Sequence, residues 1–244
     1  MRDADRLVTF IERWIEKYIA DSGAGGVVLG LSGGIDSAVC AALLKDVIGP
    51  DRIITVQMPC HSIPRDGEDA QTVADALGLK MITVDLSYPY DAYYATLIKS
   101  AKPSDIAAAN IKPRLRMITV YAIAQTYGYL VCGTGNKDEL TVGYFTKYGD
   151  GGCDFLPLAD LTKSEVWAIA RKLKLPEVVI TKAPSAGLWE GQTDEGEMGI
   201  TYATLDAYVS GQPVDDESRA KIERRVAAAQ HKRKMPPACI IGDL

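Results

Sequence analysis

The sequence predicts an α/β fold, a doubly wound parallel sheet flanked by helices, on three observations. Short apolar runs alternate with stretches of helical periodicity. Glycine-bearing turns separate the two kinds of segment. The first such turn, Ser32-Gly33-Gly34-Ile35-Asp36-Ser37, joins the apolar run Val27-Val28-Leu29-Gly30-Leu31 to an apolar-periodic stretch. A β-α-β-α-β order of this kind packs as parallel strands with crossover helices.

In chain order, Leu7, Phe10, Ile11, Trp14, Ile15, Tyr18 and Ile19 recur at helical spacing and make one apolar stripe ending near Ser22-Gly23. A strand over 26–31 leads into a helix over 36–48, stopped by Gly49-Pro50. A second strand is expected over 52–58, then a polar loop over 59–65, a helix over 66–77 closed by Gly78, and a third strand over 80–84. Residues 88–100 read as a helix with an aromatic face. Residues 107–127 read as a long helical region interrupted around Pro113 and capped by Gly128. A short strand over 129–132 follows, then a brief helix over 136–143 and a polar glycine-rich loop over 147–154. Thr162-Lys163-Ser164-Glu165 is a capping-box pattern that starts a helix reaching Leu173, and Pro176 begins a further helical turn. Residues 183–197 carry no periodicity and read as a long loop, a length that favours function over inert connection. Helices over 199–210 and 216–232 close the chain before Met235-Pro236-Pro237.

The 244 residues, 47% of them hydrophobic, suit one large domain with a sizeable core. A net charge of −5 argues against a general nucleic-acid surface. No apolar stretch reaches the ~18 residues of a membrane span, and the charged start is not a signal peptide. Cys40, Cys60, Cys132, Cys153 and Cys239 are odd in number, scattered and without a CxxC pair. They suggest a reducing, cytoplasmic setting and neither a zinc knuckle nor a disulfide framework. With only His61 and His231, a histidine-rich metal site is excluded.

The 32–37 turn carries the chemistry. Two glycines let the backbone approach an anion, the N–H groups of a helix start point at it, and Ser32 and Ser37 add hydroxyls. The segment lacks both the Gly-Lys-Ser/Thr ending of a Walker loop and the spacing of a dinucleotide fingerprint. An aspartate stands where a Walker loop has lysine. A carboxylate beside a polyphosphate needs a cation between them, so Asp36 reads as a Mg²⁺ ligand and the loop as a pyrophosphate cradle.

The hexapeptide resembles the signature of the ATP pyrophosphatases, Rossmann-like enzymes of the adenine nucleotide α-hydrolase type. These cleave ATP between the α and β phosphates and transfer AMP to an oxygen. Further segments resemble the NAD synthetases among them. They are Asn110-Ile111-Lys112-Pro113-Arg114-Leu115-Arg116-Met117, 133–139 (GTGNKDE), 143–151 (GYFTKYGDG), 184–195 (PSAGLWEGQTDE) and 231–237 (HKRKMPP). The match runs over nearly the whole chain and is nearest to the ammonia-dependent enzymes, since no N-terminal glutaminase domain precedes the loop. The resemblance implies adenylation of nicotinate adenine dinucleotide (deamido-NAD) by ATP and attack of ammonia on the adenylate. NAD, AMP and pyrophosphate are the products, and a homodimer is implied with a separate glutaminase as an optional ammonia source.

It also implies roles. Gly30, Ser32, Gly33, Gly34, Asp36, Ser37, Arg116, Thr134, Lys163 and Ser185 would bind ATP; Asn110, Arg114, Lys147 and Asp154 would bind the dinucleotide. Asp36 and Glu139 would share Mg²⁺. Asp150 and Lys163 would be catalytic, with Asp150 holding ammonium and accepting its proton. By residue type alone Glu139 reads as a solvated helix acid, Lys163 as a capping-box surface residue, Asp150 as a turn aspartate, and the arginines as surface salt-bridge partners. Cys153 reads as a packed thiol, with no base near it in sequence. Pro113 and Cys153 depart from the small residues usual at these positions. The 60–65 and 183–197 segments correspond to family segments that close over substrates, and the lightly charged 115–126 stretch suits a buried or interfacial helix. A purine, a tRNA base or another carboxylate remains an alternative acceptor, although catalytic cysteines and a basic surface, expected for a tRNA thiolase, are missing. A nucleotide-binding sensor is the non-enzymatic alternative.

Overall fold

The computed structural model describes residues 2–187, 189 and 191–241. Leu188 and Glu190, within the 184–195 signature, lie outside the described residues. Four strands, β1 (Val27–Gly30), β2 (Ile53–Gln57), β3 (Met81–Thr83) and β4 (Leu130–Cys132), form a parallel sheet in the order β3-β2-β1-β4. β1 pairs on both sides, with Val27 opposite Ile53 and Leu130. The chain winds outward from β1 to β3, then returns to lay β4 on the other side of β1. The crevice between the carboxyl ends of β1 and β4 is therefore a topological switch point, where such sheets bind ligands.

Strand periodicity places a helical layer on each face. Val27 and Leu29 of β1 join the main core with α1 (Ala4–Ser22), α2 (Ile35–Ile48), α3 (Pro64–Leu77), α8 (Lys163–Lys172) and α9 (Glu177–Thr181). Val28 points the other way, against Val56, Val131, and Val120 and Ala124 of α6 (Ile111–Tyr127). Each fully buried apolar side chain contributes roughly 1.5–3 kcal/mol. A satellite core joins α7 (Lys137–Val142), α10 (Asp194–Met198), α11 (Tyr202–Val209) and α12 (Asp216–Ala228) through Val142, Met198, Tyr202, Leu205 and Ile222.

Several elements differ from expectation for local reasons. The strands are shorter, and a 3₁₀ turn at Pro50–Arg52 delays β2. The long 107–127 helix is two, α5 (Asp105–Ala109) and α6, broken at Asn110 and not at Pro113. Pro113 is the third residue of α6, where its ring would clash with a continuing helix upstream. The 183–197 loop ends in the five-residue α10, which Thr193 caps through a bond from the Gly196 N–H. The 216–232 helix ends at Ala228 and continues as a 3₁₀ turn at Gln230–Lys232. The expected stripe of α1 is split: Leu7, Ile11, Ile15 and Ile19 are buried with Val8, whereas Phe10 is 71% exposed. Among the described residues no helix is long and apolar enough to cross a membrane, and all five cysteines are free.

Candidate active site

A cavity of about 540 Å³ opens at the switch point. Its floor is the β1–α2 turn. Gly33 adopts φ +75°, a left-handed conformation suited to glycine, and a Cβ there would lie 2.3 Å from the Asp66 carbonyl oxygen. Ser32 and Ser37 are 3.1 Å apart through their hydroxyls, and Ser37 donates to the Gly34 carbonyl at 3.0 Å. No side chain caps α2, which leaves its first-turn N–H groups for a ligand, and Ser32, Gly34, Asp36 and Ser37 line the cavity.

One buried lysine organises the carboxylates above this floor. Lys163 begins α8, whose N-cap is Thr162 in a capping box with Glu165. Its Nζ donates to Asp36 Oδ2 at 2.5 Å and lies 3.7 Å from Glu139 Oε1 and 4.9 Å from the ring centre of Tyr202. Burial opposes its charge, but Asp36, Glu139 and Asp194 outweigh burial and hold its pKa above the ordinary value. Lys163 begins a capping-box helix as its residue type suggests, but it is buried and not on the surface. Glu139 is N3 of α7. Its Oε2 accepts from the Asn136 N–H at 3.1 Å, while Asn136 Oδ1 accepts from the Asp138 and Glu139 N–H groups. The wholly buried Asn136 uses its Nδ2 to donate to Asp36 Oδ1 at 3.0 Å. A helix cap thus fixes both acids. Burial, then the like charge of Asp36, pushes Glu139 up to about 8.

The third carboxylate is Asp194. Its Oδ2 accepts from the Tyr202 hydroxyl at 2.8 Å, but its buried Oδ1 has no hydrogen-bond partner. Three carboxylates crowd one lysine, and an orphaned oxygen lies among them. That fits a divalent cation. Among the described residues no group of three or more His, Cys, Asp or Glu side chains has metal-binding geometry. Asp36 and Glu139 could offer two carboxylates to a cation whose other ligands are phosphate oxygens and water.

Behind the site, two further acids hold α8. The Lys163 N–H is shared by Asp138 Oδ2 at 2.7 Å and Asp206 Oδ1 at 3.2 Å, and the Ser164 N–H donates to Asp206 Oδ2 at 3.2 Å. Burial, then its contact with Asp206, raises Asp138 to about 8.

Gly30, Thr134, Asn110, Arg116, Asp150 and Ser185 also line the cavity. Arg116 donates to the Met58 carbonyl at 3.1 Å and to Ser62 Oγ at 3.3 Å, fixing the 58–62 wall. Asp150 is open to the cavity yet surrounded by its walls. Burial raises its pKa against the Thr146 N–H bond at 2.9 Å and the nearby charges of Lys232 and Arg116. Cys153 packs against Gly133, where a Cβ would lie 2.5 Å from its Sγ, and burial pushes the thiol up to about 11, away from a nucleophile.

Three expected substrate residues are not brought into the cavity wall. Arg114 turns outward to the Asn110 and Lys147 carbonyls, and Lys147 Nζ donates to the His231 carbonyl at 2.7 Å. Asp154 uses both oxygens structurally, on the Val131 N–H at 2.7 Å and the Tyr121 hydroxyl at 2.9 Å. Residues that sequence reasoning missed stand in the wall instead: Lys182, Asp194, Glu197 and Lys232, with Tyr202 and Asn136 directly behind. Asn136, Asp194 and Lys232 lie in segments that carried the resemblance, without a role given to them, and Asn136 also stands at capping-box spacing to Glu139.

The NAD synthase family matches residues 7–236 of this chain. The chain belongs to that family. An NH₃-dependent NAD⁺ synthetase of Carboxydothermus hydrogenoformans is 50% identical over 225 residues, 91% of this chain and 92% of that one. Among solved structures, an NMN synthetase from Francisella tularensis superposes with a TM-score of 0.94 at 35% identity, covering 99% of this chain and 100% of that one. An NH₃-dependent NAD synthetase from Campylobacter jejuni, in complex with nitrate, gives 0.83 at 30% identity, with 98% and 100% covered. Membership of the NAD synthase family makes the chain an ATP-using ligase.

Proposed function

We propose that the chain joins ammonia to the nicotinate carboxylate of deamido-NAD at the expense of ATP, yielding NAD, AMP and pyrophosphate. The observation that carries this reading is the Asp36–Lys163–Glu139 cluster at the mouth of an uncapped phosphate-binding turn. A carboxylate cannot expel oxide, so its oxygen first attacks the α-phosphorus of ATP and pyrophosphate leaves. The turn's N–H groups and hydroxyls receive the phosphates, and Lys163 supplies a fixed charge beside them. Thr134, Ser185 and Arg116 complete the ATP side. Asp36 and Glu139 would hold Mg²⁺, which when bound spreads the charge of the leaving pyrophosphate.

Ammonia then attacks the acyl carbon and AMP departs. Asp150, whose pKa burial raises, would hold ammonium and take its proton. Asn110, which lines the cavity at the α5–α6 break, would meet the acceptor, while Arg114 and Lys147 would serve a dinucleotide extending beyond the cavity. We read the protein as a homodimer: Tyr88, Tyr93, Ile106, Ile118 and Tyr127 expose apolar surface on α4 (Ser87–Leu97), α5 and α6. The free cysteines support a reducing, cytoplasmic setting.

A second reading has nicotinate mononucleotide as acceptor, favoured by the superposition on the Francisella NMN synthetase. One experiment tests both. Purified protein, ATP, Mg²⁺ and ammonium are supplied with either acceptor, and amide and AMP are followed together. Equal, ammonium-dependent NAD and AMP from deamido-NAD supports the first reading. A preference of tenfold or more in kcat/KM for the mononucleotide replaces it with the second, and neither product from ATP-binding protein favours a sensor.

A further inference from the structure

We propose that Lys182 is a positioning residue that fastens the phosphate-binding turn and two walls of the cavity into one unit. The inference rests on the adenylation reading above. Lys182 Nζ lies 2.8 Å from Asp66 Oδ1, 2.6 Å from Asp69 Oδ2 and 3.4 Å from the Gly33 carbonyl oxygen. An ammonium group has three protons, and three acceptors take them. Its donor capacity is filled by the protein, which separates it from Lys163 and from any lysine free to grip a phosphate.

The three acceptors belong to segments that need to stay in register. Gly33 is the left-handed residue of the phosphate turn. Asp66 and Asp69 stand at the start of α3, directly after the 59–63 wall. Lys182 follows α9 and begins the 183–187 wall. The far end of that wall returns to the same acid, since a Cβ on Gly187 would lie 3.5 Å from Asp66 Oδ2. Asp69 is buried and is also met by Arg65 Nε at 3.2 Å, so two cations face two carboxylates and the cluster is balanced. The roots of both walls are thereby tied to each other and to the turn that receives the leaving group.

The chemistry at risk is water entry. Water attacking the acyl carbon of the adenylate returns the carboxylate and AMP and makes no amide, so a loose wall shows as excess AMP. The test is the ratio of AMP to NAD at saturating ammonium, together with the Kd for ATP by equilibrium titration. Lys182→Met keeps the length of the side chain and loses all three bonds. We expect its AMP:NAD ratio to rise at least twofold and its Kd for ATP about tenfold, with Lys182→Arg restoring a ratio near that of the wild type. Asp66→Asn, at the more exposed acid, moves both readouts the same way by less, and decides the matter should the methionine variant not fold. A wild-type ratio in Lys182→Met and in Asp66→Asn overturns the proposal, as does a proportional fall of both products, which marks a merely structural brace. Failure of the parent reading is distinct, because the wild-type enzyme would then make no ammonium-dependent amide.

Discussion

Two lysines in one cavity behave in opposite ways. Lys163 meets Asp36 and Glu139 with Asp194 behind, and the group keeps three crowded carboxylates and an orphaned oxygen. Lys182 meets Asp66 and Asp69 with Arg65 alongside, and every proton on its nitrogen has an acceptor. The first cluster is built incomplete, and completion is what a bound cation and phosphates supply. The second is built complete, so it holds shape. Removing a partner from a buried ionic pair such as Lys163–Asp36 costs roughly 3–5 kcal/mol; breaking the first cluster should stop adenylation, whereas breaking the second should leave adenylation and cost ATP affinity and the yield of amide per AMP.

The largest effect is expected at the incomplete cluster. Asp36→Ala should abolish pyrophosphate release, and Lys163→Met should cut it by at least about 10²-fold, the scale of losing one charge-stabilising donor. Near-normal release in either variant would erase the distinction between the clusters. Asp150→Asn should come next, slowing amide formation more than adenylation; a rapid-quench comparison of AMP and NAD separates the steps, and equal loss in both removes the ammonium role.

Proton linkage sharpens the same contrast. Glu139 is raised from 4.5 to about 8 and Asp138 from 3.8 to about 8, so between those limits the folded protein binds more protons than the unfolded chain. Stability contributed by these groups is present at low pH and is lost as pH rises from about 4 to 8. The Tm of ligand-free protein should therefore fall across that window. Asp138→Asn, which keeps an acceptor for the Lys163 N–H and offers a donor to Asp206, should flatten the fall. A steeper fall in that variant would contradict the assignment of the fall to Asp138. On the proposal that Glu139 holds Mg²⁺ as a carboxylate, binding of Mg²⁺ with ATP should release protons below pH 8 and tighten as pH rises, which calorimetry in two buffers of different ionisation enthalpy reads directly. The smallest effect is expected at Asn136→Ala, about 1–3 kcal/mol of stability from a lost buried amide.

What was legible in the sequence follows from how local each feature is. The phosphate turn is written in six consecutive residues between a strand and a helix. Lys163 and Glu139 sit in helix-start patterns, and the resemblance supplied their partner. Lys182 and Asp194 reach the cavity, and Tyr202 the space behind it, from a stretch far along the chain from the phosphate turn, with no spacing to announce the meeting. Arg116 lines the cavity and Arg114 does not, because α6 starts afresh at Ile111, which turns Arg116 inward to Met58 and Ser62. Asp154 was drawn off by the N–H of Val131 at the sheet's β4 strand, a tertiary contact no local pattern encodes. The five-residue α10 is too short to show a period inside a segment read as loop.

The most direct measurement is acceptor-dependent exchange of labelled pyrophosphate into ATP without ammonium, in wild-type protein and in Lys163→Met. The account predicts exchange in the wild type that needs Mg²⁺ and deamido-NAD and that falls at least about 10²-fold in the variant. Exchange that persists in Lys163→Met, or that is absent from folded wild-type protein able to bind ATP, would contradict the claim that the Asp36–Lys163–Glu139 cluster is where pyrophosphate leaves.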